Sequence, residues 1–228
     1  MRTAPVTLFL CGDVMLGRGV DQILPHPGDP TLRERYIQDA VTYVDLAEAA
    51  NGRIPRPVGF SWPWGDALRV LEEAAPEVRV VNLETSVTQS DDFAAGKAVN
   101  YRMSPANLPC LAVARPDACV LANNHVMDFG RRGLEETLDV LAGAGLRSVG
   151  AGRVRRAKRP GDVAVVSIHW GSNWGYWIPR EQRARRMRLQ HASQEDSEWL
   201  RTVLDRAGRN FGSRVDLEPD GTLALQWT

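Results

Sequence analysis

The sequence predicts an α/β fold in which a mostly parallel sheet is flanked by helices. Short apolar runs of strand length alternate with segments of helical periodicity, and those segments are long enough to cross between parallel strands. Several apolar runs are also followed directly by a side chain of the kind that binds metals. Because the carboxyl ends of parallel strands meet at one sheet edge, where ligands bind, a functional site is expected there.

The predicted strands are short and almost wholly apolar, as expected for strands buried on both faces. They cover residues 6–11, 78–81, 118–122, 146–149 and 163–168. A terminal hairpin is predicted from the strand-like segments 215–217 and 223–227, which flank a Pro-Asp-Gly turn.

Helices are predicted where apolar residues recur every three or four positions or where a cap is visible. Residues 131–142 carry Leu134, Leu138 and Leu141 at that spacing, and two glycines follow. Residues 66–75 end before a proline, and residues 104–114 open with a serine cap and a proline. Residues 193–207 begin with a capping box, whereas residues 32–50 have only mixed periodicity.

Composition indicates one folded domain covering residues 1–228. Apolar residues make up 43% and charged residues 25%, and the 28 basic side chains balance the 28 acidic ones. Net charge therefore gives no reason to expect nucleic-acid binding. Two arginine-rich runs, 153–159 and 180–188, are read as solvated faces, with polyanion contact as the alternative.

The cysteines and the hydropathy pattern indicate a cytoplasmic protein. Cys11, Cys110 and Cys119 lack paired spacing, which favours reduced thiols. We see no signal peptide and no run long enough to span a bilayer, so a membrane role would need a partner.

The candidate site residues lie at the ends of four predicted strands. They are Asp13, Glu84, the Asn123-Asn124-His125 triplet and His169. Each has a structural alternative, such as a turn or cap role for Asp13 or a core role for His169. Their joint placement favours one shared centre, and their oxygen and imidazole ligands suit a divalent ion such as Mn, Mg, Fe or Zn.

The triplet is the most specific of these features. Two amides and an imidazole contribute little to packing and require polar partners. Asp128, three residues after His125, could hold its ring, as carboxylates commonly do for functional histidines. Trp170 and the aromatic residues after it either line a substrate cleft or pack in the core.

Several of these segments resemble the capsule-synthesis CapA family, also called the poly-γ-glutamate biosynthesis family, within the calcineurin-like metallophosphoesterase superfamily. The similar segments are FLCGDVMLG at 9–17, VNLET at 81–85, LANNHVMDFG at 121–130, GAG at 150–152 and SIHWG at 167–171. The resemblance covers about residues 6–179, whereas residues 180–228 diverge. It implies a metallophosphatase-like layered mixed sheet with flanking helices, followed here by the C-terminal helix and hairpin.

The resemblance also implies roles for individual residues. Asp13, Glu84, Asn124 and His169 would bind divalent metal, with Glu84 as the bridging carboxylate. His125 would contact or protonate the scissile group, with Asp128 beside it. Substrate contacts are expected at a set of neighbouring polar and aromatic side chains: Asn123, Trp170 and Asn173. The implied chemistry is attack of metal-activated hydroxide on a phosphoester or related bond.

One departure from the family pattern affects this expectation. The family has a Gly-His-x-x-x-His type motif after the His-Trp-Gly segment, but the only later histidine here is His191. The connection from Gly152 to Arg159 is also short. We therefore predict an internally shortened member in which only one of two metal sites is intact.

Two functions follow from the sequence. The first is metal-dependent hydrolysis in the synthesis or processing of capsule or poly-γ-glutamate, with an anionic polymer or a phosphorylated small molecule as substrate. The second is a catalytically impaired scaffold or binding subunit. Either could act within a membrane-associated synthesis complex.

Overall fold

The computed structural model describes residues 6–151 and the strands at 213–217 and 223–227. The chain divides into two compact units, with residues 6–151 in the first and the two later strands in the second. The strand predicted at 163–168 and the helix predicted at 193–207 lie outside the described residues.

The first unit is built on a four-stranded parallel sheet. Its strands are β1 (Leu8–Val14), β2 (Val78–Leu83), β5 (Ala118–Val120) and β6 (Ser148–Val149). They lie side by side in that order, and every neighbouring pair is parallel. The predicted parallel α/β class is confirmed.

A small parallel pair lies outside this sheet, in the connection between β2 and β5. It consists of β3 (Ser86–Val87) and β4 (Arg102–Met103). The sequence did not predict this pair, because two-residue strands are too short to show an alternating pattern.

The first strand runs further than predicted. It was expected to end at Cys11, but β1 continues to Val14, so Asp13 lies within the strand. The register with β2 shifts between Cys11 and Asp13, which leaves Gly12 as an extra residue. A bulge of this kind redirects the following side chain, and it sets Asp13 opposite Asn82 of β2.

Five helices flank the strands in the described residues. They are α1 (Gly19–Ile23), α2 (Val41–Asn51), α3 (Ala67–Ala74), α4 (Pro109–Ala112) and α5 (Gly130–Gly143). α3 and α5 match the helices predicted at 66–75 and 131–142. The single helix predicted at 104–114 is wrong, because the segment forms a 3-10 turn, Pro105–Asn107, followed by α4. Pro109 lacks the N–H that a continuous helix would use there.

The core lies between the central strands and the helices that follow them. Val81 and Leu83 of β2 are buried against a cluster that includes Leu111 of α4, Cys119 of β5 and Leu141 of α5. Burial of these side chains anchors the carboxyl ends of the strands, where the candidate residues lie.

All three cysteines are free thiols, as predicted. Burial raises the pKa of Cys110 to about 11 and the pKa of Cys119 to about 12. A buried thiol of high pKa is protonated and unreactive at neutral pH. Cys110 and Cys119 therefore act as small core side chains.

The second unit contains the predicted hairpin. β7 (Ser213–Leu217) pairs antiparallel with β8 (Leu223–Trp227), with Ser213 opposite Trp227 and Leu217 opposite Leu223. Within the described parts of the chain, none of the helices has the length and apolar character needed to cross a bilayer.

Candidate functional site

A chain of hydrogen bonds connects the carboxyl ends of β1, β2 and β5. The Nδ2 of Asn82 donates to Oδ1 of Asp13 at 2.6 Å. The Nδ2 of Asn123 donates to Oδ1 of Asn82 and to the carbonyl of Leu83, both at 3.0 Å. The structure therefore brings Asp13 and Asn123 to one sheet edge through Asn82.

Asn82 was not among the predicted site residues. The signal was nevertheless present, because Asn82 is a polar residue inside the apolar run of β2 and is itself buried. A buried amide requires hydrogen-bond partners, and here the partners are the neighbouring strand ends.

His125 and Asp128 form a buried pair at the same edge. The Nδ1 of His125 lies 2.7 Å from Oδ2 of Asp128, and the two side chains are 6% and 0% exposed. The backbone N–H of His125 also donates to Oδ1 of Asn123 at 3.0 Å. With Nδ1 donating its proton to the carboxylate, Nε2 is the ring nitrogen that faces Glu84, and it lies 3.6 Å from Oε1 of Glu84.

Both polar ends of Asn123 are thus used within the protein. Its Nδ2 holds β2 and its Oδ1 holds the backbone of His125. These bonds make Asn123 a connection between the strand ends and the histidine loop, and the predicted substrate contact of Asn123 stays a prediction.

Lys97 completes the surroundings of Asp128. Its Nζ contacts Oδ1 of Asp128 and the carbonyl oxygen of Asn124, and it lies 3.4 Å from Nδ1 of His125. The backbone N–H of Tyr101 donates to Oδ2 of Asp128 at 2.6 Å. The fully buried carboxylate therefore receives a lysine, a ring N–H and a backbone N–H. Sequence reasoning missed Lys97 because it lies in a loop with no recognisable motif.

Tyr101 also contacts His125 through its ring. The two rings are stacked, with centroids 3.9 Å apart and planes inclined by 15°. Burial is the main cause that raises the pKa of the Tyr101 hydroxyl above its ordinary value. The Arg18 guanidinium lies 5.4 Å from the Tyr101 ring and 4.0 Å from the Tyr43 ring, and it pairs with Glu34 at 2.7 Å.

The backbone before Arg18 explains how this arginine reaches the site. A Cβ on Gly17 would lie 2.6 Å from the carbonyl oxygen of Arg102, so only glycine fits there. Arg18 itself has a φ of 52°, which costs a non-glycine residue about 1–3 kcal/mol. Its ion pair with Glu34 and its contact with Tyr43 hold it in that conformation.

The chemistry of a metal site can be tested against the described side chains. The Oδ1 of Asn124 is buried and has no hydrogen-bond partner in the described part of the chain. A bound cation would satisfy this oxygen, which otherwise bears a desolvation cost. Asp13 and Glu84 add carboxylates of the kind that divalent ions prefer.

The described residues do not complete a metal centre on their own. Across residues 6–151, no three histidine, cysteine, aspartate or glutamate side chains gather as a metal requires. The other predicted site residues, His169, Trp170 and Asn173, lie outside the described residues.

The fold and these contacts define the class of the protein. It is a parallel α/β protein whose polar side chains collect at the carboxyl edge of the sheet, the usual place for a ligand site. Residues 7–156 match the family described as bacterial capsule synthesis protein PGA_cap. The chain belongs to this family, and the predicted membership is confirmed.

Two relatives, from two strains of Mycobacterium tuberculosis, are each named "probable polyglutamine synthesis accessory protein". Each is 37% identical to this chain over 363 aligned residues, which cover 96% of this chain and 96% of the relative. The aligned span is longer than the 228 residues of this chain. A span of this length is expected when a relative carries internal stretches that this chain lacks.

Proposed function

We propose that this chain is a metal-dependent hydrolase that acts on a phosphoester or related bond during the synthesis or processing of an anionic envelope polymer such as poly-γ-glutamate. One observation carries the proposal. The buried His125–Asp128 pair directs Nε2 of His125 toward Glu84, 3.6 Å away. This nitrogen is available to exchange a proton with a reacting group.

The metal ligands would be Asp13, Glu84, Asn124 and His169. The orphaned Oδ1 of Asn124 and the two carboxylates support this assignment. A bound divalent ion, Mn, Zn, Fe or Mg, would activate water and neutralise charge that develops on the substrate. We propose that only one of the family's two metal sites is intact, because the sequence lacks the later Gly-His-x-x-x-His type motif.

His125 has the geometry of a general acid. Asp128 accepts the Nδ1 proton and so fixes the tautomer in which Nε2 is free to carry and donate a second proton. Asn123 anchors the backbone of His125 to the strand ends, and Lys97 balances the charge of Asp128. These contacts hold the ring before substrate arrives, which is how positioned groups lower a barrier.

A non-catalytic accessory role is the alternative. The described residues contain no three-residue cluster of histidine, cysteine, aspartate or glutamate suited to a metal, and the family's later histidine motif is missing. The relatives are named accessory proteins. Under this alternative the chain would bind an anionic polymer or a phosphorylated molecule within a membrane-associated synthesis complex without turning it over.

Metal titration of the full chain, followed by an assay with an aryl phosphate ester, separates the two functions. The hydrolase should bind Mn²⁺ or Zn²⁺ and hydrolyse the ester. Asn124→Ala should abolish both properties. Asn51→Ala, at the exposed end of α2, is the matched control and should change neither.

A histidine pair of variants tests the proton transfer. His125→Gln should lower kcat about 10²- to 10⁴-fold while metal still binds. The exposed His26→Gln should leave kcat unchanged. Absence of hydrolysis with every metal tested would favour the accessory role.

A further inference from the structure

We propose that Tyr101 is the positioning residue of the His125–Asp128 pair. The inference rests on the proposed function, because it assigns a role toward the same histidine. Tyr101 contacts both members of the pair by different groups. Its backbone N–H donates to Oδ2 of Asp128 at 2.6 Å, and its ring stacks on His125 at 3.9 Å.

The two contacts restrict different motions of the imidazole. The bond from Nδ1 to Asp128 fixes one atom of the ring but permits the plane to tilt about that bond. A face-to-face contact inclined by only 15° removes the tilt. Together they determine the direction of Nε2, which is the nitrogen that lies 3.6 Å from Glu84.

Tyr101 is itself held from two sides. Its carbonyl accepts the backbone N–H of Ser86, in the pairing of β3 with the start of β4. On the side chain, the guanidinium of Arg18 lies 5.4 Å from the centroid of the Tyr101 ring and 4.0 Å from that of the Tyr43 ring, and it pairs with Glu34 at 2.7 Å. Arg18 therefore places a separate loop in contact with the Tyr101 ring.

These contacts indicate that Tyr101 positions the histidine and does not only fill space. A tyrosine that only filled space would not need a contact with the charged Arg18, and its backbone and ring would not both contact the His125–Asp128 pair. The orientation of a general acid affects turnover more than substrate affinity, because small misplacements of a reacting group are costly in the transition state.

Nuclear magnetic resonance of the full, metal-free chain tests the stack without requiring activity. The chain has four histidines, and the His125→Gln variant assigns the His125 signals. Cross-relaxation between the ring protons of Tyr101 and His125 is expected. Tyr101→Leu should move the carbon-bound ring protons of His125 downfield, because the shielding aromatic ring is gone.

Two further variants control this measurement. Tyr101→Phe keeps an aromatic ring and should keep the His125 signals shielded. Tyr36→Leu, at a tyrosine that is 85% exposed, should not move them. If Tyr101→Leu fails to fold, Arg18→Lys should weaken the contact that holds the Tyr101 ring and should move the His125 signals in the same direction. Unchanged His125 signals in Tyr101→Leu and Arg18→Lys, or no cross-relaxation in the unaltered chain, would overturn the inference.

Kinetics connect the position of the ring to turnover. With the aryl phosphate ester, Tyr101→Leu should lower kcat about 10- to 100-fold with a much smaller change in KM, and Tyr101→Phe should restore it. Unchanged kcat in Tyr101→Leu would overturn the inference. If no variant and no metal gives hydrolysis, the proposed function fails, and the resonance data still decide whether Tyr101 positions His125.

Discussion

The pairing of Lys97 with Asp128 provides a quantitative test of how the site is held together. Lys97→Met removes the lysine from a carboxylate that is completely buried, whereas the lysine side chain is 26% exposed. Removing one partner of a buried ion pair costs about 3–5 kcal/mol, because the other charge is left uncompensated. We expect a loss of unfolding free energy of that size.

The reverse change should cost a comparable amount, for a different reason. Asp128→Asn leaves Lys97 free to turn toward solvent, and the loss is confined to charge-assisted hydrogen bonds from His125 and Tyr101. Such a bond contributes about 1.5–3 kcal/mol. The double variant should cost less than the sum of the single variants by about 1–3 kcal/mol, since each change removes the reason for the other's penalty.

Urea unfolding of the full chain, followed by circular dichroism, measures these free energies. The control is Arg69→Met, which breaks the exposed pair with Glu73 on α3, where both side chains are at least 60% exposed. An exposed helical pair of this spacing contributes about 0.3–0.5 kcal/mol. Additive single effects, or a Lys97→Met cost no larger than that of the control, would show that Lys97 and Asp128 are not coupled as a buried ion pair.

Two further predictions concern stability. Leu141→Ala should destabilise the chain by about 2–5 kcal/mol, because Leu141 is fully buried in α5. Leu46→Ala, at a side chain that is 55% exposed, should change stability by less than about 0.5 kcal/mol. Urea unfolding midpoints compare the two variants, and equal losses would contradict the core assignment. Burial is the largest cause that raises the pKa of Asp21 above 3.8, so folding favours the protonated carboxyl. The contribution of Asp21 to stability is therefore present below pH 3.8, and it is lost as pH rises through the raised folded-state pKa. The stability of the unaltered chain relative to Asp21→Asn should therefore fall over that range of pH, and a rising difference would show that the sign is wrong.

The sequence predicted the sheet edge better than it predicted the local path of the chain. The apolar runs at β2 and β5 and the spacing of Leu134, Leu138 and Leu141 in α5 carry strong periodic signals, and these elements form where expected. The extension of β1 through Asp13 was missed because a bulge at Gly12 changes the register without changing the apolar pattern.

Only the part of the site formed by residues close together in sequence was predicted. His125 and Asp128 lie close together in sequence, so their pairing could be anticipated from spacing. Lys97, Tyr101 and Arg18 come from loops whose order depends on tertiary contacts and carries no period. Loop residues of this kind are brought to a site by the surrounding structure, and a single sequence does not reveal them.

We propose that polar side chains at separate strand ends bind one metal ion. Elemental analysis of the full chain, after equilibration with Mn²⁺ or Zn²⁺ and exhaustive dialysis, tests it most directly, with Asn51→Ala as the control for Asn124→Ala. Bound metal is expected in the unaltered chain and in the control, and it should be lost in Asn124→Ala. An unaltered chain that retains no metal would show that these strand ends do not bind it, and an Asn124→Ala variant that retains as much metal as the control would show that Asn124 is not a ligand.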